Sequence, residues 1–158
     1  KEDLDNIKLL IPLAFNEEED SGAYMEIFGS LDKNGIKHSD IDIVILGVPC
    51  YGSKDILNQK LEKLYQTILI SWSAPFLSKI QFIKTATVPI IKMKLKPKYG
   101  INFMGSIDSE VEIEVDITLD DFSNPYHQGI KCSEYVSNVV KHHPILKPVI
   151  IVLKRLLV

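Results

Sequence analysis

The sequence predicts an α/β fold of the α+β kind, a small mixed β-sheet backed by helices on one face. Three observations lead there. Short runs such as Val111–Ile117 alternate apolar and polar residues with the period of a half-buried strand, whereas residues 54–69 repeat their apolar positions with the period of a helix. The elements come in the order α-β-β-α-β-β-β-α-α, which lacks the regular alternation of a doubly wound sheet. Two aspartates, Asp40 and Asp42, stand one residue apart at the head of an apolar strand, so one face of the sheet is left free.

Each element has its own signal. Lys1–Phe15 reads as a helix and Asn16–Gly22 as an acidic connector. Ala23–Phe28 is a short strand that delivers a Gly-Ser turn, Gly29-Ser30. Leu31–Ser39 is a polar crossover in which Gly35 takes a turn position. Ile41–Leu46 is a buried strand. Ser53 and Asp55 cap a helix whose apolar positions are Ile56, Leu57, Leu61, Leu64, Ile68 and Leu69. Lys79–Lys84 and Val88–Leu95 alternate as strands joined through Thr85-Ala86-Thr87, and Lys96–Ser109 reads as a Gly-rich loop. In the next strand Val111, Ile113, Val115 and Ile117 share one face, and Glu112, Glu114 and Asp116 the other. Two helices, Ile130–Lys141 and Ile145–Val158, follow, with Pro144 and Pro148 near the start of the second, where proline is tolerated.

The 158 residues suffice for one domain with a core, or for one domain and the start of a second. The first residues read as a helix already under way and the last stop in mid-pattern, so a portion of a longer chain is expected. A net charge of −3 argues against binding nucleic acid through bulk charge and leaves only local patches for such a contact. Cys50 and Cys132 form no disulfide framework and point to a reducing compartment. No apolar run reaches the roughly 18 residues of a membrane helix, and Lys1–Ile7 is too charged for a signal peptide.

The chemistry lies in Gly29, Ser30, Asp40 and Asp42. Carboxylates two residues apart on a strand project from the same face, about 7 Å apart, and repel each other. A divalent cation between them removes the penalty, and oxygen-only ligands suit Mg²⁺ or Mn²⁺. The Gly-Ser turn, separated from Asp40 by nine residues, lets the backbone and the Ser30 hydroxyl approach a phosphate. Together they read as nucleoside triphosphate plus metal, hence nucleotidyl transfer, against the plainer reading of a calcium or strand-end site. For Asp116 two readings stay open: a third metal ligand, or part of a solvated acidic face with Glu112 and Glu114.

Several segments carry a family resemblance. Phe28-Gly29-Ser30, Ser39-Asp40-Ile41-Asp42, Ala86-Thr87-Val88-Pro89-Ile90-Ile91-Lys92, Val115-Asp116-Ile117 and the stretch from Gly129 to Leu157 resemble the catalytic half of Trf-type poly(A) polymerases. These are terminal nucleotidyltransferases of the DNA polymerase beta superfamily. The resemblance covers the sequence from about Ala23 to Val158. It implies a nucleotidyltransferase fold over 23–128, preceded by an N-terminal helix and connector (1–22) and followed by the first helices of a truncated helical domain (129–158). It implies that Asp40, Asp42 and Asp116 hold two Mg²⁺ ions, or Mn²⁺, and that Gly29 and Ser30 cradle the phosphates of ATP. Cys132 and Ser133 fall near the sugar, where cysteine is an unusual occupant, and Lys154 near the triphosphate. The crossover from Ser30 to Asp40 is about one residue shorter than the family pattern. The implied reaction adds AMP to RNA 3′ ends, with Asp116 as proton acceptor. Implied partners are a zinc-knuckle RNA-binding protein and an RNA helicase, with no membrane contact expected, and the location is nuclear or cytoplasmic, the resemblance favouring the nucleus. Uridylyl transfer is the nearest rival, followed by a small nucleotidyltransferase modifying a protein or drug and by an inactive scaffolding fragment.

Other features take plainer readings. Lys92, Lys94, Lys96 and Lys98 recur at every second position, and protection of an exposed edge strand is preferred to guidance of an RNA backbone. His127, His142 and His143 lack the spacing of a zinc site and are expected on the surface, and Trp72 is expected to pack.

Overall fold

The computed structural model describes residues 2–28, 41–71, 77–96, 112–120 and 129–157. They form two compact units, residues 1–127 and 128–158. In the first, helix α1 (Glu2–Ala14) and a 3-10 turn (Glu18–Asp20) precede strands β1 (Tyr24–Phe28) and β2 (Ile41–Leu46). Helix α2 (Lys54–Ser71) and strands β3 (Leu77–Ile83), β4 (Ile90–Leu95) and β5 (Ile113–Leu119) complete it. The second unit holds helices α3 (Gly129–His142) and α4 (Leu146–Leu156).

The five strands make one mixed sheet in the order β1-β2-β5-β4-β3. Only β2 and β5 run parallel, and the other three pairings are antiparallel. Strand alternation sorts the residues between two faces. Ile43 and Ile45 of β2, Val115, Ile117 and Leu119 of β5, and Ile91, Met93 and Leu95 of β4 are buried in the core. Helices α1 and α2 cover them. Ile7, Leu10, Ile11 and Ala14 of α1 recur at helical spacing, as do Leu57, Leu61, Leu64 and Ile68 of α2, so each helix buries one stripe. Ser53 caps α2: its Oγ accepts a hydrogen bond from the Ile56 N–H at 3.4 Å. Leu69, expected in the stripe, lies beside it and is exposed.

Some boundaries move for identifiable reasons. Strand β4 starts after Pro89 rather than at Val88, because proline has no N–H to give to the ladder. Strand β5 extends to Leu119, and Thr118 and Leu119 are both buried, which ends the alternation on which its sequence limit rested. The free face is also smaller than expected. Val44 and Leu46 share the parity of Asp42, yet both are fully buried. On the central strands β2 and β5 the accessible part of that face is the end that holds Asp42, Glu114 and Asp116, while Tyr24 and Glu26 of the edge strand β1 are exposed further along.

Two local devices fix the chain around the core. Gly47, directly after β2, has φ +79°, and a Cβ there would stand 2.8 Å from the carbonyl carbon of Gly22. Lys60 of α2 is buried and meets Glu19 Oε1 at 2.6 Å and Asp20 Oδ1 at 2.8 Å. Among the described residues no helix is long and apolar enough to cross a membrane.

Candidate active site

The sheet register assembles the site. Asp42 of β2 pairs with Asp116 of β5 in parallel register. Across the same level of the sheet, Phe28 of β1 pairs with Asp42, Lys92 of β4 with Asp116, and Gln81 of β3 with Lys92. Register partners on adjacent strands project from the same face, with strands about 4.8 Å apart. Two aspartates separated by 73 intervening residues therefore stand side by side. Like charges directly opposite each other destabilise a sheet. The sheet answers with a cation: Lys92 Nζ lies 3.1 Å from Asp116 Oδ2 and 3.3 Å from Oδ1. One level further along, Lys94 Nζ meets Glu114 Oε1 at 3.1 Å and Glu112 Oε2 at 4.0 Å, while Ser78 donates to Glu112 at 3.0 Å. Between β3, β4 and β5 lies a cleft of about 180 Å³, lined by Lys79, Gln81, Lys92, Lys94, Glu114 and Asp116 among others.

These positions correct the reading of the lysine series. Strand β4 lies inside the sheet, between β5 and β3, so Lys92 and Lys94 do not protect an edge. They face acidic residues of β5 instead. The edge reading failed because alternation along a strand reveals its polar face but not its neighbours. Lys92 is the site residue whose place the sequence left unread. Its signal is present only in combination with Asp116: opposite charges on two alternating strands.

The other candidate residues divide by where they fall. Asp42 and Asp116 are partly buried. Gly29, Ser30 and Asp40 lie outside the described residues, as do Gly35, Trp72, Lys98 and His127. Cys132 lies in the first turns of α3 as an exposed free thiol, Ser133 follows it, and Lys154 lies in α4, so all three belong to the second unit. His142 is exposed, with Nδ1 2.8 Å from the carbonyl oxygen of Asn138.

The donor set at Asp42 and Asp116 fits a hard divalent cation. It offers carboxylate oxygens on rigid strands, and a positive group already lies on one of them. A second acidic group, Glu17, Glu19 and Asp20, brings its oxygens within 4.8 Å of one another. There the lysines of α2 occupy the space: Lys60 bonds Glu19 and Asp20, and Lys63 pairs with Glu17. Burial alone would push the Lys60 ammonium down, but hydrogen bonds to Asp20 and Glu19 outweigh it and hold the group above the ordinary lysine value. The same contacts, to Lys63 and Lys60 respectively, hold the Glu17 and Glu19 carboxyls below theirs. This cluster is a structural tie between the connector and α2.

The mixed five-stranded sheet, with carboxylates on neighbouring central strands, is that of a nucleotidyltransferase fold. Solved structures agree. The chain is similar to Cid1, which has RNA terminal uridylyl transferase activity, with TM-score 0.58, 19% identity and 97% of this chain covered. It is similar to the polymerase core of TRAMP, an RNA surveillance complex (TM-score 0.54, 16% identity, 89% covered), and to terminal uridylyl transferase 4 of Trypanosoma brucei (0.53, 19%, 89%). The alignments span 38%, 35% and 40% of those chains respectively. At the level of sequence, residues 4–134 match the family described as poly(A) RNA polymerase, mitochondrial-like, central palm domain. The chain belongs to this family, and so to the template-independent nucleotidyltransferases.

Proposed function

We propose that the protein transfers AMP from ATP to the 3′ end of an RNA without a template, in RNA processing or surveillance. The observation that carries this reading is the register pairing of Asp42 with Asp116 at the open end of the sheet face. A like-charged pair held by backbone geometry weakens the fold, and a ligand of opposite charge gives it a purpose. The description of the matched family as poly(A) RNA polymerase supports adenylate as the transferred group.

In this reading Asp40, Asp42 and Asp116 hold two Mg²⁺ or Mn²⁺ ions, which when bound supply the charge that activates the RNA hydroxyl and offsets that of the pyrophosphate. A carboxylate oxygen of Asp116 accepts the proton of the RNA 3′-hydroxyl. Gly29 gives the triphosphate close access to the backbone, and the Ser30 hydroxyl donates to a phosphate oxygen. Cys132 and Ser133 contact the sugar, and Lys154 neutralises the triphosphate. Catalysis is then mainly positioning and charge stabilisation. Residues 23–128 are the catalytic domain, 1–22 its N-terminal helix and connector, and 129–158 the start of a helical domain. A zinc-knuckle RNA-binding protein and an RNA helicase are the proposed partners, in the nucleus.

The test is incorporation by the full-length protein on a short RNA with Mg²⁺ and each of the four nucleotides in turn. AMP addition is expected. Preferential UMP addition would assign the protein to uridylyl transfer, and no incorporation of any nucleotide would leave the scaffold reading.

A further inference from the structure

Lys92 stands within the candidate site and has no part in the reaction described above. Its ammonium reaches both oxygens of Asp116, at 3.1 and 3.3 Å. The contact is built by the sheet, because Lys92 and Asp116 are register partners on adjacent antiparallel strands. Asp116 in turn stands beside Asp42. The lysine side chain is half-exposed, whereas that of Asp116 is mostly covered. The cation is thus the movable member of the pair.

We infer that Lys92 is a displaceable internal counter-ion of Asp116. It neutralises the carboxylate before a divalent cation binds, competes with that cation for the same oxygens, and turns into the neighbouring cleft when the cation enters. The inference rests on the assignment of Asp42 and Asp116 as metal ligands. An ammonium and a hard divalent cation seek the same carboxylate lone pairs, and the double charge prevails because a half-exposed ion pair is weak. The cleft beside Asp116 provides room for the released side chain, among Lys79, Gln81 and Lys94. Lys79 makes no ion pair with any described residue. Before metal loading the three lysines of the cleft face Glu114 and Asp116 in its lining and Glu112, 4.0 Å from Lys94, beside it. After loading, Asp116 is committed elsewhere and the cleft gains positive charge. An anion such as a phosphodiester of the acceptor strand is then held more tightly with metal than without it, and by linkage the anion tightens the metal equally. Lys92 is in this sense a positioning residue, coupling two binding events.

The test is Mn²⁺ binding at low ionic strength, followed by the spin-resonance signal of the free ion. The proteins compared are the wild type, Lys92→Met, Lys92→Gln, Lys92→Arg and Asp116→Asn. Removing the competing charge is expected to tighten Mn²⁺ roughly fivefold in Lys92→Met and Lys92→Gln, with Lys92→Arg close to wild type. A merely structural lysine leaves the affinity unchanged or weakens it, so either result in both neutral variants overturns the inference. Asp116→Asn separates the two levels. If it leaves Mn²⁺ binding intact, the ligand assignment falls and Lys92's role falls with it. If it weakens binding while the neutral variants do not tighten it, only the role of Lys92 falls. As a second readout, Ca²⁺ is expected to tighten a labelled oligoribonucleotide in the wild type and to do so roughly fivefold less in Lys92→Met. An equal Ca²⁺ effect in both proteins overturns the coupling.

Discussion

Asp42 and Asp116 are brought together by the backbone pairing of β2 with β5, and their own charges oppose that pairing. Replacing either by asparagine keeps the shape and removes the charge. Under the proposed function, Asp42→Asn and Asp116→Asn are each expected to lower the rate of nucleotide addition by at least about 10³-fold, measured with the full-length protein. For Asp42→Asn, denaturant unfolding is expected to show stability equal to the wild type or up to about 1 kcal/mol higher, because repulsion is relieved. A variant both inactive and clearly less stable would point to a structural role instead. Gly47 makes the opposite kind of demand. Its positive φ and its approach to Gly22 leave no space for a methyl group. Gly47→Ala is expected to lower stability by about 2–4 kcal/mol, read from the urea midpoint.

Among the elements, the join between the acidic connector and α2 responds to pH and to truncation. Lys60→Met leaves the fully covered Asp20 carboxylate unpaired and is expected to lower stability by about 3 kcal/mol. Adding Asp20→Asn to that variant should recover most of the loss. Glu17 and Glu19 titrate in the fold below the ordinary value of 4.5, so the unfolded chain binds protons first on acidification. Their contribution is present above about 4.5 and is lost as pH falls through the lower folded values. Thermal melts between pH 6 and 3 should show the midpoint falling in that window, and Lys60→Met should remove the part of the fall that belongs to Glu19, leaving that of Glu17, which Lys63 holds. The elements also show where sequence reasoning reaches. Strands, helices and the Ser53 cap are local patterns and were legible, because period and capping depend on neighbours in the chain. Strand order is not local. Nothing in Ile90–Leu95 reveals that β5 lies beside it, so Lys92 and Lys94 looked like edge guards. The D-x-D pair drew attention to Asp42 from sequence alone, whereas the charge balance of Asp116 emerged only with the register that sets Lys92 on it.

At the scale of the molecule, the two units differ in how much they bury. The first has one core shared by α1, α2 and the sheet. None of the side chains described in the second is buried. Hydrogen exchange should therefore be slowest in β2 and β5, near the limit set by global unfolding, and faster by orders of magnitude in α3 and α4 of this 158-residue chain. Equal protection in both regions would contradict that division.

The place of β5 has a consequence for how the protein is made. Among the described residues it is the last strand in sequence and the middle strand of the sheet. A nascent chain that has emerged only as far as β4 can pair β1 with β2 and β3 with β4, but the two ribbons have no common neighbour until β5 slides between them. Until that moment β2 and β4 each present an unpaired side to any passing strand, and Asp42 does not yet stand beside Asp116. Insertion of one segment closes both exposed sides and creates the paired carboxylates together, so the candidate site can serve as a marker of completed folding during synthesis.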